Sequence, residues 1–311
     1  MKNKILDFII IISFIFLLIF TLLNKELVSN TINYSLNIWV TTLIPSMFPF
    51  FVISDILINY NITSILPKPI INTFSYIFNI SKVSTTIFFL SLISGFPSSA
   101  RNIKTYYNKG LITLEEANHI LLFTHFSNPI FILSTVSLFF LNNESYGYII
   151  LISHYISNFI LGIILRKNSP INTTIPTPQT NKTNTFSTTL INSIKSSIDT
   201  LLLILGTLAS FLILSSFIIK TLSLPPYEGT LLKGILEMTM GLKELSLLNI
   251  KDIYKVVIST IFISFGGLSV HLQIISQITD TKIKYIPFLI TRIYHAIISG
   301  IISLLLYKIY F

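Results

Sequence analysis

The sequence predicts an all-α polytopic membrane protein built from two related halves, and three observations carry that prediction. Its 311 residues are 52% hydrophobic and only 11% charged, with a mean hydropathy of +0.77, whereas soluble domains carry about 25% charged residues. Several apolar stretches reach the roughly 20 residues that a helix needs to cross a bilayer. Two others break at small, helix-breaking and hydroxyl residues: Phe89-Leu-Ser-Leu-Ile-Ser-Gly95-Phe-Pro-Ser-Ser-Ala100 and Phe262-Ile-Ser-Phe-Gly266-Gly-Leu-Ser-Val-His271. Unwound backbone at membrane depth survives only where protein or a water-filled cavity satisfies its N–H and C=O groups. A matched pair of breaks, one per half, points to a transporter binding site.

In chain order, Met1-Lys-Asn-Lys4 followed by Ile5 to Leu23 has the charge and apolar run of a signal peptide. It lacks a small-x-small cleavage site and ends in Asn24-Lys25-Glu26, so residues 1–30 read as a retained transmembrane helix. Further full spans are expected near 38–59, 146–165, 199–219 and 287–309. Shorter or interrupted apolar pieces near 83–97, 119–141, 231–248 and 254–278 are candidates for half-helices and re-entrant hairpins. Residues 167–185 are rich in Pro, Thr and Asn without an aliphatic cluster, which reads as a flexible aqueous linker. It divides the chain into halves at 31–166 and 186–311. Each half runs from a polar-leaning amphipathic stretch into a long span (Ser35 to Tyr60, Leu190 to Lys220), then through a glycine-broken segment to a closing helix. Lys2 and Lys4 favour a cytoplasmic N-terminus, but Lys25 at the far end of the first span opposes them, so the orientation stays open.

The absence of cysteine removes disulfides, thiolate metal sites and cysteine nucleophiles together. The net charge of +9 suits phospholipid headgroups or an anionic substrate. Nucleic acid is a poor partner for 21 scattered Lys and Arg without a basic run. There is no His-Glu-x-x-His, no Gly-x-Ser-x-Gly elbow and no carboxylate dyad at helical spacing. No enzyme activity, catalytic residue, metal or cofactor is therefore expected. Glu116-x-x-His119 has the spacing of a metal-ligand pair but no second copy, and Thr113-x-x-Glu116 is better explained as a helix capping box.

Gly95-Phe-Pro97, continuing through Tyr106-Tyr-Asn-Lys-Gly110 and Glu115-Glu-Ala117 to Phe123-x-x-x-Ser-x-Pro-x-Phe131, resembles the YlbJ/SpoVV sporulation integral membrane proteins of the nucleoside-recognition (Gate) superfamily. Glu237-x-Thr-x-Gly241, Phe265-Gly-Gly-Leu-Ser-Val-His-x-Gln273 and Arg292 extend the resemblance through the second half. It implies two Gate-like repeats with re-entrant hairpins, similar to concentrative nucleoside transporters. It also implies a role in sporulation: moving dipicolinic acid, or a similar small organic anion, across the outer forespore membrane. Where the family shows an Asn-Asn-Ser-Gly-Pro-like run, this chain reads His125-Phe-Ser-Asn-Pro129, with Asn128 in place of glycine. The alternative is a non-transporting membrane protein needed for spore envelope or cortex assembly.

A planar aromatic dianion needs hydrogen-bond donors, positive potential and a flat apolar slot. Half-helix N-termini supply donors and partial positive charge without a buried cation. Gly95, Ser98 and Ser99 at the first break, and Gly266, Gly267, Ser269, His271 and Gln273 at the second, are the expected substrate-binding groups. Their competing reading is close helix packing by small residues. Arg101 and Arg292 could offer a bidentate fork to a carboxylate; the alternatives are a solvated face for Arg101 beside Lys104 and Lys109, and snorkelling for Arg292. Glu237 could pair with Arg292, accept a coupling proton or bind sodium; its alternative is the surface of an amphipathic hairpin. Asn128 completes the candidate set. Asp55, Asp199, His154 and His295 are weaker candidates, Asp199 because it could mark a helix N-terminal end. Phe96 could stack on a substrate ring, and Tyr106, Tyr107, Tyr146, Tyr148, Tyr307 and Tyr310 suit interfacial belts.

Overall fold

A computed structural model describes residues 2–60, 62, 65–166 and 185–311. The expected linker therefore lies outside the described residues except for Thr185. Among the described residues every regular element is helical. They are α1 (Lys2–Leu23), α2 (Lys25–Ile38), α3 (Ile44–Asn59), α4 (Lys68–Phe78), α5 (Lys82–Ser94), α6 (Ser98–Asn108), α7 (Leu114–Leu121), α8 (Glu144–Ile164), α9 (Phe186–Leu222), α10 (Pro226–Leu236), α11 (Met238–Leu247), α12 (Asp252–Phe265), α13 (Gly267–Ile278) and α14 (Tyr285–Tyr310). A π-helical turn, Trp39–Leu43, joins α2 to α3 and ends just before Pro45, whose ring cannot accommodate the carbonyl of Thr41 in an α-turn. A second π-helical segment, Phe131–Phe140, precedes α8.

Among the described residues six helices are long and apolar enough to cross a membrane: 4–23, 25–59, 144–164, 186–222, 252–278 and 285–310. The sixth corrects the sequence-based expectation. Residues 252–278 form one 27-residue span interrupted at Gly266 rather than folding back as a hairpin. The pair α4–α5 is bent by 97° and is either a broken span or a re-entrant loop. The helix expected near 199–219 runs from Phe186 to Leu222. Asp199 thus lies more than three turns inside it, exposed, instead of marking its start.

Small residues set the packing. In α10 and α11, a Cβ added at Gly241 would lie 2.2 Å from the Gly234 Cα, so the two short helices touch backbone to backbone and form a hairpin with Glu237 at its tip. A Cβ at Gly162 of α8 would lie 2.7 Å from the Phe78 ring. That clearance lets Phe78 join Phe74, Phe88, Phe123 and Phe159 in one aromatic cluster between α4, α5 and α8. Within lipid such close contact, rather than water exclusion, holds helices together. Helix α1 is different: its apolar side chains are almost all exposed, and Phe20 against Phe217 is its one ring contact with α9. It is a lipid-facing helix at the edge of the bundle.

Candidate functional site

The site begins with three interruptions that meet. Helix α5 stops at Gly95 (φ +72°), followed by Phe96 and Pro97, and α6 starts at Ser98. Helix α12 stops at Gly266 (φ +93°), and α13 starts at Gly267 (φ +69°). Positive φ favours glycine at these positions, and crowding demands it again. A Cβ would lie 2.7 Å from the Asn128 amide nitrogen at Gly95, 3.2 Å from His125 Nε2 at Gly266 and 2.9 Å from the Met238 nitrogen at Gly267. The third interruption is the non-helical stretch at 122–128, mostly buried, which passes between the two glycine breaks.

Buried non-helical backbone must find partners inside the protein, and the partners here are specific. The Phe96 N–H donates to Phe126 O at 2.9 Å. Ser127 N–H donates to His154 Nε2 at 2.9 Å, and Asn158 Nδ2 donates to His125 O at 2.8 Å. Arg292, fully buried, donates to Leu122 O, to His125 O at 3.4 Å, to Asn158 Oδ1 at 3.3 Å and to His295 Nδ1 at 2.8 Å. His295 Nε2 lies 2.9 Å from His154 O, so its Nε2–H tautomer accepts from Arg292 and donates to that carbonyl. His154 in turn reaches Ser264 Oγ at 2.9 Å. Arg292 therefore neither snorkels nor offers a free fork: its terminal nitrogens tie α14 to the unwound stretch and to α8, and only Nε lacks a partner.

Arg101 shows the same pattern. The solvated-face alternative fails, because it is 8% exposed. Its Nη1 donates to Ser196 O at 3.2 Å, Ser196 Oγ at 3.0 Å and Thr200 Oγ1 at 3.2 Å, while Nη2 reaches Phe51 O at 3.4 Å. It holds α6 against α9 and α3. Asn128 closes a local turn, accepting from Ile130 N–H at 2.8 Å and donating to Ile93 O at 3.3 Å. His271 uses both ring nitrogens, at 3.1 Å from Phe265 O and 3.0 Å from Tyr285 Oη. Gln273 donates to Thr207 Oγ1 at 2.8 Å. Glu237 is buried, not on a hairpin surface, and does not pair with Arg292; its Oε2 accepts from Met240 N–H at 2.8 Å and caps α11. Tyr106 and Tyr146 are buried as well, rather than belt residues, Tyr146 donating to Asp252 at 2.9 Å. Thr113 caps α7 as expected, but the Glu116 carboxylate accepts from Ser81 N–H at 2.8 Å instead of returning to Thr113.

The buried polar atoms without partners include Ser98 Oγ, Ser99 Oγ, both side-chain atoms of Asn102, both ring nitrogens of His125, and Ser269 Oγ, besides scattered ones such as Ser84, Ser127, Ser193 and Ser259 Oγ. These residues are at most 1% exposed. Ser98, Ser99 and Asn102 occupy the first turns of α6, and Ser269 the first turn of α13; the two helices pack against one another. Neither helix has a side-chain cap or an acidic residue in its first turn, whereas α5, α7, α8, α9 and α11 are all capped by a side chain. Uncapped helix starts with spare donors attract anions. His125, which the sequence offers only as the first residue of the departing His125-Phe-Ser-Asn-Pro129 run, stacks on Phe96 with ring centroids 4.5 Å apart and lies under Gly266. Its position was signalled by Pro129 and the polar run before it, a third break inside an apolar stretch.

Phe96, Glu237, Thr239, Gln273 and Val270 line a cavity of about 20 Å³ with Leu43, Met47, Ile204 and Leu208. It has room for roughly one water. Pockets that hold drug-sized ligands measure about 300–1,000 Å³, so this conformation is closed.

With its described residues all-helical in their regular elements, six of those helices apolar and of spanning length, and unwound segments at its buried centre, the protein is a polytopic integral membrane protein. Over 312 aligned residues, covering 88% of this chain and 76% of the relative, it is 26% identical to the sporulation integral membrane protein YlbJ of Bacillus subtilis (strain 168). The resemblance to the YlbJ family carried by the motifs is thereby borne out, and the chain is a homologue of a sporulation membrane protein. No family model matches the sequence. No solved structure matches it.

Proposed function

We propose that this protein is a membrane carrier for a small organic anion, with dipicolinic acid as the substrate and the outer forespore membrane as its place of action. The observation that carries the reading is the unpartnered polar set on α6, α13 and His125, gathered where two uncapped helix starts pack together. Native proteins rarely leave buried polar groups without partners, and a group left so marks a ligand, a water or a functional strain. Two buried guanidinium groups, neither with a carboxylate within salt-bridge distance among the described residues, add positive potential that favours an anionic guest. The Phe96–His125 stack supplies a flat surface for a planar ring.

In this reading 31–166 and 186–311 are Gate-like repeats, similar to those of concentrative nucleoside transporters, with α4–α5 and α10–α11 as the re-entrant pairs. The closed cavity is the occluded state of an alternating-access cycle, driven by a coupling ion, proton or sodium. Liposomes containing the purified protein should accumulate labelled dipicolinate under an imposed proton, sodium or voltage gradient. Absence of uptake under all three overturns the reading.

One observation favours a second reading, a non-transporting protein needed for spore envelope assembly: the central cavity has room for roughly one water and both arginines are held by protein acceptors. Under that reading a Ser98→Ala, Ser269→Ala double variant sporulates normally with wild-type dipicolinate content. A fall in spore dipicolinate at normal protein abundance supports the carrier instead.

A further inference from the structure

Among the described residues Glu237 is the one buried carboxylate, and it has no basic partner. It stands at the tip of the α10–α11 hairpin, against the Gly267 turn, and lines the small central cavity among mostly apolar neighbours. The charged and titratable groups around it are otherwise engaged. On the hairpin, Lys233 is paired with Glu244, and Lys243 lies 4.5 Å from the centre of the Tyr34 ring. From α12, Lys255 donates to Ser246 O at 2.8 Å; from α13, His271 is bonded through both nitrogens. Helix α9 presents Thr207 and Leu208 at this level, while its Lys220 turns to Asn24. From α2, Tyr34 lies within electrostatic reach of Glu237, and its hydroxyl is buried without a partner. Burial without a basic partner disfavours the ionised carboxylate there, against the hydrogen bonds it accepts from Met240 and Thr239.

A second cavity lies along the same seam. Leu208 of α9 lines the central void; Leu212 and Ser216, one and two turns further on, line a half-open cavity of about 230 Å³ with Asn30, Thr31, Tyr34, Lys233 and Met240. It holds several waters by volume. Lys233 and Met240 of the hairpin and Tyr34 of α2 belong to its wall, while Glu237 to Thr239 of the same hairpin line the central void.

We propose that Glu237 is the proton-binding site of the central cavity, loaded from the α9 C-terminal side through this vestibule. A hydronium ion in the vestibule gives its proton to the carboxylate and leaves as water; opening of the hairpin hydrates the acid and releases the proton. The use of that proton for coupling rests on the carrier reading, but its binding does not.

Infrared spectroscopy of the full-length protein in lipid at neutral pH tests the binding directly. The expected result is a carboxylic-acid carbonyl band that survives at pH values where the eleven other carboxyl side chains are ionised, is lost in Glu237→Gln and moves in Glu237→Asp. Its exchange after transfer to deuterium oxide should slow in Ser216→Phe, which fills the vestibule. A wild-type spectrum without the band at neutral pH overturns the proposal whatever the variants do, and exchange unchanged in Ser216→Phe overturns the inlet. Anion uptake by the same liposomes reports separately: uptake absent with the band present removes the carrier reading and leaves the proton site standing.

Discussion

Two polar regions lie side by side in the core of this protein and differ in one respect. Around Arg292, on α8, α12 and α14, the guanidinium's terminal nitrogens and both rings of the histidine pair find partners in the protein. On the facing first turns of α6 and α13, with His125 between, the side chains are just as deeply buried and have none. The terminal nitrogens of both buried arginines are engaged by the protein: Arg292 satisfies backbone that unwinds inside the bundle, and Arg101 ties α6 to α9 and α3. The neutral hydroxyls and the imidazole are the groups that the proposed carrier function assigns to the substrate.

Breaking the first region should do most damage. Arg292→Met leaves Leu122 O and Asn158 Oδ1 without their donor, and an orphaned buried group costs about 1–3 kcal/mol. The variant should melt well below wild type in detergent or fail to accumulate; a melt within a few degrees of wild type contradicts the assignment. Gly241→Ala comes next, because its methyl would occupy the space of the Gly234 backbone. Overpacking of this kind costs about 1–3 kcal/mol, and loss of the Lys233–Glu244 closure, followed by crosslinking across the hairpin, is the check.

Ser98→Ala and Ser269→Ala sharpen the contrast from the other side. Removing a hydroxyl that has no partner is nearly neutral for stability, so melting should shift by less than about 0.5 kcal/mol equivalent while dipicolinate binding, followed by calorimetry, disappears. A large loss of stability in either variant would place these serines in the frame.

The smallest effect lies outside the bilayer. Lys104 donates to Asp280 at 2.7 Å and holds that carboxyl below its ordinary range. A depressed folded-state value adds stability above the unfolded-state pKa of about 3.9, and the gain is lost as pH falls through the folded value. Because the aspartate is exposed, salt should screen the effect. Asp280→Asn should therefore differ from wild type in melting temperature at neutral pH and low salt, and converge with it in acid or high salt.

The spans were legible because a bilayer fixes their length, and the glycine breaks because positive φ leaves few other residues. The ends were less so: α9 continues through Asp199 and Lys195, polar residues that a hydropathy count reads as a boundary but that protrude from its exposed side. Residues 254–278 read as half-helices or a re-entrant hairpin because Gly266-Gly267 interrupts them; what the sequence does not encode locally is that α14 and α8 pack on the first piece, α12, and α9 and α6 on the second, α13. Arg101 and Arg292 were recognisable as important but not as ties, since their acceptors, mostly main-chain oxygens and hydroxyls, are scattered over four other segments. His125 was hidden for the same reason: its meaning comes from having no partner, which only packing reveals.

The native chain contains no cysteine, so the most direct test is to place one at Ser98 and, separately, at Ser269 and measure labelling by a membrane-impermeant thiol reagent during turnover. The account predicts that both positions are labelled when the centre opens and that dipicolinate protects both. Labelling that dipicolinate leaves unchanged, or no labelling from either side of the membrane, would contradict it.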